Sequence, residues 1–212
     1  MLRRLVTLLV LLAFAPWLVA PALAQPEPSA VGKVVDQRGA VTVMRQDRPV
    51  ALIVGAPVFR RDQIHTGAAS RVKLELVDGT VLAIGSGSQL TVAEYVTDAR
   101  QGRLEGAISL LLGILRATVA NGSSPGAFDV ESRAAVASVR STDFVMEATD
   151  GHCAVFVVEG RVEVSQTSAG AGQGVSLDPG QGTDVETGSS PTEPKMWGQR
   201  RVDEFLARTR IR

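Results

Sequence analysis

The stretch Arg71–Gly87, RVKLELVDGTVLAIGSG, decides the fold class of this chain. In its first half apolar and charged residues alternate. Side chains alternate along a strand with a period of two, whereas a helix would scatter these residues around its circumference. Residues 71–76 are therefore predicted to form a half-buried strand. Its buried side is predicted to carry Val72, Leu74 and Leu76, and its exposed side Arg71, Lys73 and Glu75.

A tight turn and a second strand follow. Asp78-Gly79 is predicted to supply the positive-φ positions of a two-residue turn. The next run, Thr80–Ile84, is rich in β-forming residues but alternates poorly, which suits a strand covered on both faces. Gly85-Ser86-Gly87 then ends the strand. The whole stretch is predicted to be a strand, a turn and a strand.

The same pattern recurs along most of the chain. Glycine followed by alternating valines appears in RGAVTVMR (38–45) and again in EGRVEVSQ (159–166). Short strands separated by frequent turns are typical of all-β folds. We expect an all-β β-solenoid or β-roll-like stack of short strands, with a jelly-roll-like β-sandwich as the alternative. Turn signals lie at Asp78-Gly79, Asn121-Gly122, Asp150-Gly151, Glu159-Gly160 and Pro179-Gly180.

One long apolar run, Ile108–Val119, admits two interpretations. Its leucines would suit a helix. Gly113 lies in its middle, and Gly106 and Gly122 flank it. Because glycine weakens helices and punctuates strands, two short buried strands are favoured.

The N-terminus has the layout of a secretory signal peptide. Two arginines precede an apolar run, residues 5–18, and Ala22-Leu23-Ala24 forms an A-x-A cleavage site. A membrane anchor is the alternative, but the apolar run is short and interrupted by proline, and a spanning helix needs about 20 apolar residues. Residues 1–24 are predicted to be removed, which makes the protein periplasmic.

The remaining chain divides by composition, and its last part is amphipathic. Val202, Phe205, Leu206 and Thr209 share one face of a helix that arginines otherwise surround. This helix is expected either to cap the β structure or to bind a partner or an anionic surface. The predicted segments are a flexible leader (25–30), a β domain (31–187), a linker (188–196) and the C-terminal amphipathic helix (197–212).

Charge and cysteine content exclude several classes of protein. Without Arg3 and Arg4, 20 of the 22 basic residues remain against 22 acidic ones, so the mature chain lacks the basic excess of a nucleic-acid binder. Cys153 is the only cysteine, which excludes an internal disulfide. No further membrane span is predicted after signal cleavage.

The residue types that carry chemistry are sparse. His65 and His152 are the only histidines, and Cys153 adjoins the second. Adjacent strand residues point to opposite faces, so His152 and Cys153 are poorly placed to hold one metal ion. Cys153 is expected to be a buried small hydrophobic residue. No catalytic, cofactor-binding or metal-binding residues are predicted, and no cofactor.

Carboxylate pairs leave one enzymatic alternative open. Polysaccharide-cleaving enzymes need an acid and an ionised partner on one side of a groove. Asp143 with Glu147, and Glu159 with Glu163, are the candidate pairs. Each is also where the solvated face of a strand carries charge. Few aromatic residues are available to stack on sugars.

Four motifs together resemble the FecR domain, the periplasmic module of iron-siderophore signalling regulators. The first is RDQIHTGAASRVKLELVDGTVLAIGSGSQLTV (61–92), and ASVRSTDFVME (137–147) is the second. VVEGRVEV (157–164) and LDPGQ (177–181) complete the resemblance, which extends over roughly residues 31–185. The matching residues in the first two motifs are Asp62, Ile64, Thr66, Gly67, Asp78, Gly79, Thr80, Leu82, Ile84, Gly85, Ser88, Val139, Arg140, Thr142 and Phe144.

The sequence departs from the family pattern at two places. Arg61 and Ser141 stand where the family prefers glycine, which indicates a local backbone adjustment rather than another fold. The signalling regulators carry an anti-sigma segment and a membrane helix before this domain, and here only the predicted signal peptide precedes it. The resemblance therefore implies the fold and a role in contacting other envelope components, without the sigma-factor function.

These observations predict an exported, non-enzymatic FecR-like binding or scaffolding module that contacts another envelope or periplasmic protein. Binding is expected through strand addition at an exposed edge or through the C-terminal helix. The alternative is an envelope-glycan binding protein or a carbohydrate-active enzyme on a β-solenoid. The sequence leaves the oligomeric state and any link to sigma-factor signalling open.

Overall fold

The computed structural model describes residues 29–98, 103–119, 128–167 and 174–210. The predicted signal peptide, residues 25–28 of the leader, the predicted turn at Asn121-Gly122 and residues 211–212 of the predicted helix lie outside these ranges. Within them the chain is mostly β with one short C-terminal helix, so the all-β prediction is confirmed. The strands are β1 (Ala30–Arg38), β2 (Val41–Arg45), β3 (Arg48–Ala51), β4 (Pro57–Phe59), β5 (Gln63–Thr66), β6 (Arg71–Leu76), β7 (Val81–Ile84), β8 (Gln89–Asp98), β9 (Arg103–Thr118), β10 (Phe128–Glu131), β11 (Ala135–Val139), β12 (Asp143–Ala148), β13 (His152–Glu159), β14 (Val162–Gln166), β15 (Gly174–Leu177), β16 (Gln181–Glu186) and β17 (Lys195–Met196), and the helix is α1 (Gln199–Thr209).

The described strands pair into one open, mixed sheet with two layers. The covered layer, against which α1 packs, has the order β4-β1-β6-β7-β9-β12-β13-β16-β17. The open layer has the order β3-β2-β5-β8-β9-β10-β11-β14-β15. All these pairs are antiparallel except β9 with β10. The regular rungs of a solenoid stay a prediction.

A single strand joins the two layers. Residues 103–112 of β9 pair within the open layer, and residues 113–118 pair within the covered layer. The change occurs at Gly113, whose φ is +101° and whose position leaves no room for a Cβ beside Ser88. The strand interpretation of this run is correct, but the two expected short strands are one long strand that a glycine bends.

The core lies between the layers. Buried residues of both layers form one continuous hydrophobic cluster, which includes Val43 of the open layer and Leu74 of the covered layer. The predicted inward side of β6 is fully buried, because Val72, Leu74 and Leu76 are all at most 3% exposed. Lys73 is exposed as predicted, whereas Arg71 and Glu75 are half-buried.

The connection between β6 and β7 differs from the predicted two-residue turn. Four residues, 77–80, separate the strands, and among them only Gly79 has a positive φ, +85°. The Asp78 carboxylate accepts hydrogen bonds from the Thr80 N–H at 3.0 Å and the Thr80 hydroxyl at 2.6 Å. This side-chain clamp closes the turn and leaves Asp78 out of the positive-φ region.

The C-terminal helix is shorter than predicted. It begins at Gln199 rather than at residue 197 and ends at Thr209, and β17 interrupts the predicted linker. Phe205 and Thr209 of the predicted apolar face are buried, and Val202 and Leu206 are half-buried. Among the described residues, no helix has the length and apolar character that crossing a bilayer requires.

Candidate functional site

The first motif aspartate is part of the fold and is not available as a free acid. Asp62 is 1% exposed and binds the Arg45 guanidinium through both carboxylate oxygens, at 2.7 and 2.9 Å. It also accepts the Phe59 N–H at 2.9 Å. The hydrogen bonds that Arg45 donates to Asp62 outweigh the desolvation of Arg45 and raise the pKa of that guanidinium. Asp62 therefore ties β2 to the turn before β5.

The motif hydroxyls form a buried network where β9 changes layers. The Thr66 hydroxyl donates to the Gly85 carbonyl at 2.6 Å and accepts the Ser88 N–H at 2.8 Å. The Ser88 hydroxyl donates to Gly85 at 2.9 Å and accepts the Ile114 N–H at 3.1 Å. These hydroxyls satisfy backbone groups that the strand pairing leaves without a partner, so they stabilise the fold.

The two departures from the family pattern lie at strained backbone positions. Arg61 has a φ of +68° and Ser141 a φ of +52°. Both angles belong to the left-handed region that favours glycine. The neighbouring Thr142 is buried and its hydroxyl lies 2.8 Å from the Arg140 carbonyl oxygen. The predicted local adjustment is thus the adoption of a left-handed conformation by a non-glycine residue.

Neither candidate carboxylate pair faces a groove. Asp143 is bound by Arg116 at 2.6 and 2.9 Å, and Glu147 pairs with Arg208 at 2.6 Å. Glu159 and Glu163 lie on β13 and β14, which belong to different layers. The structure therefore brings no candidate acid together with an ionised partner in the manner that glycan cleavage requires.

His152 and Cys153 point to opposite sides of β13. The His152 Nε2 lies 3.2 Å from Asp184 Oδ1 on the outer face, and Cys153 lies in the core. Burial raises the pKa of the Cys153 thiol to about 12, so it stays protonated and unreactive at neutral pH. Within the described ranges, no three His, Cys, Asp or Glu side chains come together as a metal site.

The covered layer binds α1 through an aromatic contact. Trp197 stacks on Phe156 with ring centroids 5.2 Å apart and meets Phe205 edge-on at 4.9 Å. The indole lies directly on Gly182, where a Cβ would displace it. Phe205 also packs into a small cluster with outward-facing apolar residues, namely Ile114, Val145 and Ala154. The helix therefore buries side chains that would otherwise face solvent.

Ion pairs hold the same helix at both ends. The Arg201 guanidinium binds Asp184 at 2.6 and 3.1 Å and lies 3.5 Å above the Trp197 ring. Burial alone would raise the pKa of Asp184, but hydrogen bonds and charge from Arg201, with His152, lower it. Together with the Glu147–Arg208 pair, these contacts show that α1 caps a face of the β structure.

The outer face of the open layer has a different character. Its outward positions carry mostly uncharged side chains and neither lysine nor arginine, where the structure describes them. Three carboxylates lie on it, and none has an ion-pair partner among the described residues. The outward residues include Thr42, Met44, Pro49, Ala51, Gln63, His65, Gln89, Thr91, Ala107, Ser109, Leu111, Asp129, Glu131, Val136, Ser138, Glu163, Ser165, Gly174 and Ser176.

This face was only partly visible in the sequence. Glu163 stood out as a charge on a solvated strand face. Asp129 and Glu131 did not stand out. The sequence alone does not show that β10 pairs with β11, or that no basic side chain lies beside these carboxylates on the paired strand. Trp197 was also missed, since its contact with Gly182 joins residues whose pairing no periodicity predicts.

The chain matches one protein family. Residues 62–163 fit the family model described as FecR protein, which confirms the resemblance that the motifs predicted. The chain therefore contains a region, residues 62–163, that matches the FecR domain. The matched part extends from the turn before β5 into β14. No curated protein matches the chain.

Solved structures show the same fold. Two crystal structures of a candidate anti-sigma factor from Parabacteroides distasonis ATCC 8503, at 1.65 and 2.50 Å resolution, align with a TM-score of 0.53 and 22% identity. The alignments cover 68% of this chain. They cover 64% and 63% of the solved chains, so this chain matches less than two thirds of their length.

Proposed function

We propose that this protein is an exported FecR-like binding module that contacts another protein of the cell envelope after removal of residues 1–24. It acts without a cofactor and without nucleic acid. The match of residues 62–163 to the FecR family model supports this role. The likeness to a candidate anti-sigma factor supports a link to signalling, with the partner contact made in the periplasm.

The observation that carries the proposal is the difference between motif residues and surface residues. The buried polar residues of the family motifs form internal hydrogen bonds. They are Asp62, Thr66, Ser88 and Thr142. A partner would therefore bind at the surface, and no described element covers the outer face of the open layer. A module that works through such a face binds and does not turn over substrate.

The glycan alternative has less support. A carbohydrate-cleaving enzyme needs two carboxylates across a groove, and the candidate acids are either neutralised by arginine or placed on different layers. A glycan-binding site usually offers aromatic stacking surfaces. The described aromatic cluster around Trp197 is instead used to hold α1.

Site-specific photo-crosslinking in the producing cells tests the proposed function. A benzophenone amino acid is placed at Ser138 on the outer face of the open layer, and at the exposed Lys73 of the covered layer as the matched control. We expect the Ser138 probe to give one discrete protein adduct and the Lys73 probe none. Adducts with glycan only, or no adduct from either position, would contradict the proposal.

Export is tested separately by the N-terminal sequence of the protein recovered from the periplasmic fraction. We expect it to begin at Gln25. Recovery of the uncleaved chain in the membrane fraction would support the anchor alternative instead.

A further inference from the structure

The sheet edges differ in how well they are closed to another strand. An unpaired edge presents free N–H and C=O groups, and proteins usually blunt it with proline or with very short strands. The covered layer ends in β17, of two residues, and in β4, of three. β4 begins with Pro57, which has no N–H, and the Pro57 carbonyl accepts a hydrogen bond from Arg45 at 3.1 Å. Both edges of this layer are closed.

The open layer begins at β3, and a proline in this strand hinders the pairing of another strand at that edge. The β2–β3 turn has two residues, Gln46 and Asp47, both with positive φ, so Arg45 and Arg48 form a hydrogen-bonded pair. Bonding alternates along the ladder. The backbone groups of Pro49 therefore point away from β2, toward the free side. Proline occupies the position where an incoming strand would need a donor.

The opposite edge, β15, pairs only with β14 among the described strands. The Thr167 N–H donates to the Ala134 carbonyl at 3.2 Å, which fixes the residues of β14 that bond to β11. By alternation, Val164 bonds to β15, and its partner Val175 points back toward β14. The N–H and C=O groups of Gly174 and Ser176 then point to the free side. Among the described residues these groups have no partner, and β15 contains no proline.

The negative charge beside this edge favours a partner strand with basic side chains. The Ser176 side chain lies on the outer face opposite Glu163 of β14, and Ser138 separates Glu163 from Asp129. Strands lie about 4.8 Å apart, so Glu163 lies roughly 10 Å from a strand added at β15. Extended lysine or arginine and glutamate side chains together span that distance. Because no lysine or arginine side chain faces outward on this face where it is described, the carboxylates attract a basic strand.

We propose that β15 is the docking edge for an extended segment of a partner protein that carries lysine or arginine at alternate positions. This inference rests on the proposed function and names its surface and partner chemistry. The added strand bonds to the backbone of Gly174 and Ser176. Its basic side chains lie on the outer face of the open layer, next to Glu163.

The test uses defined peptides on the full mature chain. The probe is a capped eight-residue peptide of alternating lysine and valine, and its control alternates glutamate and valine. Binding is followed by amide chemical shifts of the ¹⁵N-labelled protein. We expect the lysine peptide to bind with the largest shifts at Gly174 and Ser176, and the glutamate peptide to bind at least ten-fold more weakly.

Two variants separate the backbone contribution from the charge contribution. Ser176→Pro removes an outward N–H without touching the β14 ladder, and we expect it to weaken peptide binding at least ten-fold, whereas Ser176→Ala leaves binding unchanged. Glu163→Lys keeps the edge and reverses the charge, so it tests the inference even if the proline variant folds poorly. We expect it to weaken binding of the lysine peptide several-fold and to strengthen that of the glutamate peptide.

Several results would overturn the inference. These are equal binding of both peptides, shifts centred on β3 or α1, unchanged binding by folded Ser176→Pro, and no binding of either peptide. A crosslinked envelope protein whose capture survives Ser176→Pro would leave the proposed function standing and remove this docking edge. Peptide binding at β15 without any crosslinked protein would leave the edge standing and remove the proposed function.

Discussion

The two layers share one core but have opposite outer faces. On the covered layer the carboxylates of Asp143, Glu147 and Asp184 all meet arginine, and α1 buries the outward apolar residues. On the open layer, Asp129, Glu131 and Glu163 have no ion-pair partner in the described part of the chain. Both layers form from strands with the same alternating pattern. The C-terminal segment makes their outer faces different, because α1 packs against the covered layer only. The face that α1 does not cover is the one that we propose binds a partner.

The largest effect is expected where the two layers meet. Leu74 is fully buried in the shared core, so Leu74→Ala should lower the free energy of unfolding by about 2–5 kcal/mol. The exposed neighbour gives the control: Lys73→Ala should change it by less than about 0.5 kcal/mol. Chemical denaturation measures both. Equal losses would show that the inward and outward sides of β6 are wrongly assigned.

The next effect separates the covered face from the open face. Phe205 is 6% exposed and joins α1 to the covered layer, so Phe205→Ala should cost about 2–4 kcal/mol in unfolding free energy. Leu111 lies on the open face and is 42% exposed, so Leu111→Ala should cost less than about 1 kcal/mol. If both variants lost the same stability in thermal or chemical unfolding, α1 would not seal the covered layer.

Acidification should also act on the covered face. The contacts of Arg201 and His152 lower the pKa of Asp184 below its ordinary value of 3.8 in the folded state. The stability this carboxylate contributes is therefore full above pH 3.8 and is lost as the pH falls through the lowered folded-state value. Asp184→Asn should unfold with a shallower dependence on pH between about 5 and 2 than the parent chain. Parallel pH profiles in urea denaturation would contradict this account.

The smallest expected effect is a gain. Arg61 and Ser141 adopt left-handed backbone angles without being glycine, so Arg61→Gly and Ser141→Gly should each raise the unfolding free energy by about 0.5–1 kcal/mol. Arg60→Gly is the matched control, because Arg60 lies outside the positive-φ set and should lose stability. Melting temperatures measured for the three variants check the sign. A loss in all three would show that the left-handed angles carry no strain.

Sequence predicted much of the fold and little of the surface. Local periodicity was enough to place Leu74 inside and Lys73 outside, because alternation is a property of one strand. The two departures from the FecR pattern correctly marked Arg61 and Ser141 as positions of unusual backbone. In contrast, the bend at Gly113 depends on Ser88 from another strand, and neither residue alone indicates it.

The candidate site was harder to predict, because it depends on carboxylates that lack an ion-pair partner and on an edge that lacks a neighbouring strand among the described residues. Within the described residues, the carboxylates without an ion-pair partner and the edge without a neighbouring strand become visible only when the register of β10, β11, β14 and β15 is known. The same holds for Pro49, whose guarding role depends on which side of β3 its backbone faces. Such properties belong to strand pairing and not to any one segment of sequence.

Amide hydrogen exchange of the free mature chain tests the central claim most directly. If the open layer ends in an unpaired edge, the amides of Gly174 and Ser176 exchange at nearly unprotected rates while the amide of Val175 between them is protected by β14. The buried Phe205 amide in α1 should also be protected. Slow exchange at all three positions of β15 would show that the edge is already covered, and would contradict the account.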